Sequence, residues 1–197
     1  MWAHTNGSCD QDSRWQLSSL AFEQLAHEAK HHVPVYFHDC ITEAVRSSQP
    51  FAHEHDVTFE TTLAQSSNRD AAVEVLGDPV LLEVMVANVV GIALRCSPAG
   101  SRVVLDLQVL AESLVLYVRD HGSEPATACL TAFGSVEASP LDRRSSRSSL
   151  DLARRVAEHH RGTVSLDVSH GGCEFCIQLP RWRPGGPPLP HSSRGSA

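Results

Sequence analysis

Hydrophobic and polar positions follow two different rhythms along this chain. In DVTFETTL (56–63), Val57, Phe59, Thr61 and Leu63 recur with a period of two, which predicts a strand. AAVEVLGD (71–78) predicts a second, short strand. RVVLDLQVL (102–110) and SLVLYVRD (113–120) predict a hairpin closed by a short turn. RGTVSLDVSHGGCEFCIQLP (161–180) predicts another, turning at His170–Gly171–Gly172. The second rhythm is helical. Leu17, Leu20, Phe22 and Leu25 mark a helix over 15–32, which Pro34 ends. Phe37, Cys40, Ile41 and Val45 mark another, interrupted or bent by Pro50 near its end. Leu150, Leu152, Val156 and Ala157 mark a third over 148–160. Between the strands, 78–96 is apolar almost throughout, with Asp78 as a natural N-cap, Pro79 in the first turn and SPAGS as the stop.

The predicted order is helix, helix, strand, strand, helix, strand, strand, long connection, helix, strand, strand. Hairpin-paired strands interleaved with helices predict an α+β, two-layer sandwich, with helices on one face of a mixed, mostly antiparallel sheet. The connection 121–148, rich in Gly, Ser and Pro, has the length of a functional lid or mobile loop. Residues 1–14 and the Pro/Gly/Ser-rich 181–197 read as disordered ends around one domain, 34–180.

Composition narrows the function classes. A net charge of −7 argues against a nucleic-acid partner, because phosphate neutralisation needs a clustered positive field. The start MWAHTNGSCDQDSR lacks a basic stretch followed by an apolar block. The most apolar run, Val80 to Leu94, contains Glu83 and Asn88 and is short for a bilayer. A cytoplasmic protein without a membrane partner is therefore expected. Of six cysteines, four lie in apolar surroundings, as buried free thiols do. Cys173 and Cys176 form a CxxC pair, but on a strand residues three apart point to opposite faces, so no shared metal is expected. Twelve histidines include the doublets His31–His32 and His159–His160. Adjacent side chains diverge on helices and strands alike, so these read as solvated polar positions.

Two ungapped stretches carry a family resemblance. Gly77, Asp78, Leu82, Asn88, Ala93, Arg95, Ser97, Pro98 and Gly100 match the asparagine-bearing helix of one family. His160, Gly162, Val164, Ser169, Gly172, Phe175, Leu179 and Pro180 match its closing hairpin. On these residues the chain resembles the catalytic ATP-binding domain of sensor histidine kinases, in the group shared with Hsp90, gyrase B and MutL. The resemblance covers roughly 36–180 and implies the same fold.

The resemblance also implies a nucleotide site, and several positions depart from it. The family's helix carries a second asparagine that gives a side-chain oxygen to Mg²⁺, which demands hard oxygen ligands. Asn88 matches the first asparagine and Ile92 stands at the second. The adenine motif D-x-G-x-G keeps Asp120 and Gly122, with Glu124 at the second glycine. The phosphate motif G-x-G-L-G-L, which opens a helix and offers backbone N–H groups, aligns with Arg147, Ser148, Ser149, Leu150, Asp151 and Leu152. Its leucines persist and its glycines do not. Arg143, Arg144 and Arg147 precede the expected helix start, where an anion would still be attracted.

The expected function is therefore a degenerate histidine-kinase-like module that regulates two-component signalling through protein contacts. No catalytic residue and no cofactor are expected, Mg-ATP chemistry having been lost. The implied partners are a histidine kinase, a response regulator or another regulator, with a homodimer through residues 15–33, read as the remnant of a dimerisation helix. One alternative is a divergent histidine kinase that still binds ATP. Another is a histidine phosphotransfer protein with His27, next to Glu28, as phosphoacceptor for a response regulator. A stand-alone anti-sigma-type kinase ranks last, since the phosphate glycines would be expected there.

Overall fold

The computed structural model describes residues 32–63, 73–120, 140–167 and 172–183; over 140–148 it describes the backbone alone. The elements in chain order are β1 (Val33–Tyr36), α1 (Phe37–Glu54), β2 (Thr58–Leu63), β3 (Glu74–Gly77), α2 (Pro79–Cys96), β4 (Arg102–Val109), β5 (Ser113–Asp120), α3 (Pro140–His159), β6 (Thr163–Asp167) and β7 (Glu174–Pro180).

Five strands form the main sheet in the order β2-β4-β5-β7-β6. Only β2 runs parallel to its neighbour, β4, and the other pairs are antiparallel. Alternation decides which face is inward. Leu105, Val118 and Phe175 lie across from one another on β4, β5 and β7, as do Leu107, Leu116 and Ile177, and all are buried. The other face carries Asp106, Tyr117, Arg119, Glu174 and Cys176. Arg119 pairs with Glu174 and lies over the Tyr117 ring, 4.6 Å from its centroid. The predicted mixed, mostly antiparallel sheet with helices on one face is the observed architecture.

α2 is the centre of the helical layer, packed against α1, α3 and β5. It is apolar on all sides because it is covered on most of them. By length and composition it would also cross a membrane, but here it is the buried core helix. Asp78 caps it as predicted, Oδ1 accepting from the N–H groups of Val80 (2.9 Å) and Leu81 (3.0 Å). α1 buries Phe37, Cys40, Ile41, Ala44, Ser48 and Ala52, a 3/4 spacing, and runs on through Pro50 to Glu54. Val45, predicted inward, is partly buried, and Ala44 is the residue fully inside.

Three boundaries differ from the sequence expectation. Val33–Tyr36 is a strand, paired antiparallel with β3 in a second, two-stranded sheet. Pro34 can sit there because β1 has a neighbour on one side only. α3 begins at Pro140 rather than near 148, so it takes up the last part of the expected lid. Past β7, the backbone of Arg181 donates to Glu112 O (3.0 Å) and that of Trp182 to Glu74 O (2.8 Å), so the first residues of the expected tail stay on the body of the domain. Residues 15–31 of the predicted N-terminal helix, the end segments 1–14 and 184–197, and the connection 121–139 lie outside the described residues; the last residues of that helix, His32 and Val33, are described and are not helical, Val33 opening β1.

Candidate functional site

Asn88, Ile92 and Cys96 are spaced by four and form one stripe along the C-terminal half of α2. Asn88 is buried, and its Nδ2 donates to Val84 O, one turn back, at 2.8 Å. Ile92 is completely buried. It presents an alkyl surface where the family's metal ligand is expected. Cys96 is a buried free thiol, its pKa pushed up to about 12, first by burial and then by the charge of Asp120. The C-terminal end of the stripe is therefore within electrostatic reach of Asp120.

Asp120 ends β5 on the inward face, opposite Val103, and is buried. Its Oδ1 accepts the N–H of Cys173 at 2.7 Å, and its own N–H donates to Cys173 O at 3.1 Å. Gly172 is required by this contact: a Cβ there would lie 2.3 Å from Asp120 Oδ1 and 2.8 Å from its carbonyl oxygen. The hairpin glycine and the strand-end aspartate, read from separate motifs, thus belong to one packed unit. Cys173 itself is buried and disulfide-bonded, whereas Cys40, Cys96 and Cys176 are free thiols. Cys176 lies on the outer face and Cys173 with the inner row, as the alternation required.

Ser149, Leu150 and Asp151 do not open a helix. They lie inside α3, more than two turns from its first residue. Helical amides in that position donate to carbonyls four residues back and are spent as anion ligands. The physical reason is the loss of the glycines, each of which would weaken a helix interior by about 1 kcal/mol relative to alanine. Ser149 and Leu150 are buried toward the core, while Asp151 faces outward, 3.9 Å from Arg154. Arg143, Arg144 and Arg147, expected before the helix, fall within it, and their side chains are outside the described residues. Gly122, Glu124 and His27 are also outside them.

Sequence reasoning missed His160. It is buried, its Nδ1 donating to Val156 O (2.7 Å) and its Nε2 accepting the N–H of Asp78 (3.1 Å). The imidazole therefore ties the end of α3 to the start of α2. Burial is the main reason its pKa falls to about 4, with His159 and His32 adding to the effect. The solvated reading of the doublet fails here. Gly77 gives way to the ring, since a Cβ would lie 2.3 Å from His160 Cδ2. The signal was present as a match to the closing-hairpin motif, but a lone histidine does not announce its hydrogen-bond partners.

The sequence pattern of the family described as histidine kinase-, DNA gyrase B- and HSP90-like ATPase matches residues 77–183. The chain belongs to this family. The matched stretch takes in the capped helix, both hairpins and α3. Among relatives, sensor protein kinase PmrB of Pseudomonas aeruginosa is 34% identical over 135 residues, which is 66% of this chain and 27% of that protein. The chain thus spans about a quarter of the length of the curated relatives it matches. Among solved structures, the mycobacterial sensor histidine kinase MprB superposes with a TM-score of 0.52 at 25% identity, covering 76% of this chain and 97% of that one. The cytoplasmic segment of histidine kinase QseC superposes with a TM-score of 0.57 at 21% identity, covering 91% and 98%, and shares the fold. The chain carries a histidine-kinase-like domain of the two-component signalling type.

Proposed function

We propose that this domain is a regulatory, protein-binding module of a two-component pathway, acting in the cytoplasm, with magnesium–ATP phosphotransfer lost. The observation that supports this most is the unbroken course of α3 through Ser149, Leu150 and Asp151. A phosphate cradle needs unpaired N–H groups at a helix start, and that stretch is helix interior. Ile92, fully buried one turn after Asn88, adds a second mismatch, because an alkyl group gives no lone pair to Mg²⁺. The residues present do not fit a magnesium–polyphosphate group. What persists is the framework: the apolar α2, the inward sheet face and the hairpin locked on Asp120. The partner is a histidine kinase or a response regulator, and residues 15–33 supply the contact for a homodimer.

Incubation of the 197-residue chain with γ-labelled ATP and Mg²⁺ tests the loss of chemistry. No acid-labile phosphate on the chain is expected. Label that appears and then vanishes in His27→Ala would overturn the reading in favour of an active kinase.

A second reading, a divergent kinase that still binds ATP, draws on Asp120. It is buried, oriented by the Cys173 N–H and set at the strand end, as adenine recognition in the family requires. Nucleotide binding lost in Asp120→Asn, with or without magnesium, would favour it.

A further inference from the structure

His32 meets the His159–His160 doublet across the fold. His32, exposed just before β1, and His159, at the end of α3, bring their Nε2 atoms to 3.4 Å from each other. The rings are nearly perpendicular, with centroids 5.2 Å apart. At 3.4 Å the nitrogens are long for a direct hydrogen bond. They are well placed for a shared metal: two bonds of about 2.0–2.1 Å at a tetrahedral angle set the nitrogens about 3.4 Å apart.

From this geometry we propose that His32 and His159 form a two-imidazole site for a borderline divalent cation of the zinc class. Imidazole suits zinc, nickel and copper(II), and excludes neither water nor a further ligand from the remaining positions. His160, 5.5 Å from the His32 ring and 5.2 Å from the His159 ring, is not a ligand, because both its nitrogens are committed to backbone groups. Asp78 lies close enough for its carboxylate to act electrostatically on His159, in the sense that favours positive charge there. Among the described residues no group of three or more His, Cys, Asp or Glu side chains converges, and the two imidazoles are the ligands the described residues supply.

Such a cation would clamp the chain entering β1 to the far end of α3. Binding to the folded state alone raises stability by mass action. The test is a zinc chloride titration of the metal-free 197-residue chain, by calorimetry and by thermal melting. The expected result is saturable uptake of one zinc per chain with a rise in Tm. His32→Gln and His159→Gln should each weaken it by at least about tenfold, since even supporting residues of metal sites cost that much. The double variant His53→Gln/His55→Gln, at the C-terminal end of α1, should bind as the parent does. Should His159→Gln fail to fold, His32→Gln decides, because His32 is exposed and outside every element. Parent-like zinc affinity in His32→Gln, or no saturable uptake by the parent, would overturn the site.

Discussion

His160 occupies the joint between the start of α2 and the end of α3 as a neutral ring, and acid works against it there. Its folded pKa is about 4 against an ordinary 6.5, so between those values the unfolded chain binds a proton that the folded chain refuses. Stability is therefore full above about 6.5 and is lost as pH falls toward 4, by roughly 3 kcal/mol for this group. Urea unfolding across that range should show the slope, and His160→Gln should flatten it. At Gly172, alanine would drive a Cβ into Asp120 Oδ1 and destabilise the hairpin by about 1–3 kcal/mol, read as a lower urea midpoint with unchanged m. Asp120 and Gly172 were legible in the sequence because each stands in a motif. The Cys173 amide that joins them was not, since backbone groups leave no mark on side-chain patterns. His160 stayed hidden for a related reason: its partners are the backbone of Val156 and of Asp78, the latter 82 residues away.

Among the elements, α2 was legible in full because capping and apolar content agree with its buried place. Asp78→Ala should cost about 1 kcal/mol, seen as a fall in the unfolding free energy. β1 was illegible, since four residues with Val35 alone buried carry no period and the pairing with β3 is made over a long separation. α3 was half legible. Its C-terminal half shows the apolar face, whereas SSRSS reads as loop by composition although serine tolerates a helix that Pro140 starts and leucines anchor. If α3 is continuous, amides 147–151 exchange slowly with deuterated solvent, at rates close to those of 152–156. Exchange there at the rate of unstructured chain would return this stretch to a lid.

For the whole molecule, the inward rows and the apolar helix follow from patterns that alternate or repeat, which is why a mixed, mostly antiparallel sheet with helices on one face could be read in advance; the strand order could not, because alternation does not say which strands are neighbours. The site could be read only where a residue type itself forbids a role, as Ile92 does for a metal ligand. That Ser149 to Asp151 lie inside a helix needed the structure, because it depends on where that helix begins. Both bear on one claim: the scaffold keeps its packing without holding a magnesium–nucleotide complex. Isothermal titration of the 197-residue chain with ATP, in Mg²⁺ and again in EDTA, addresses that claim most directly. No magnesium-dependent heat is expected, whether or not the base binds at Asp120. Saturable, magnesium-dependent binding of one ATP per chain would contradict it.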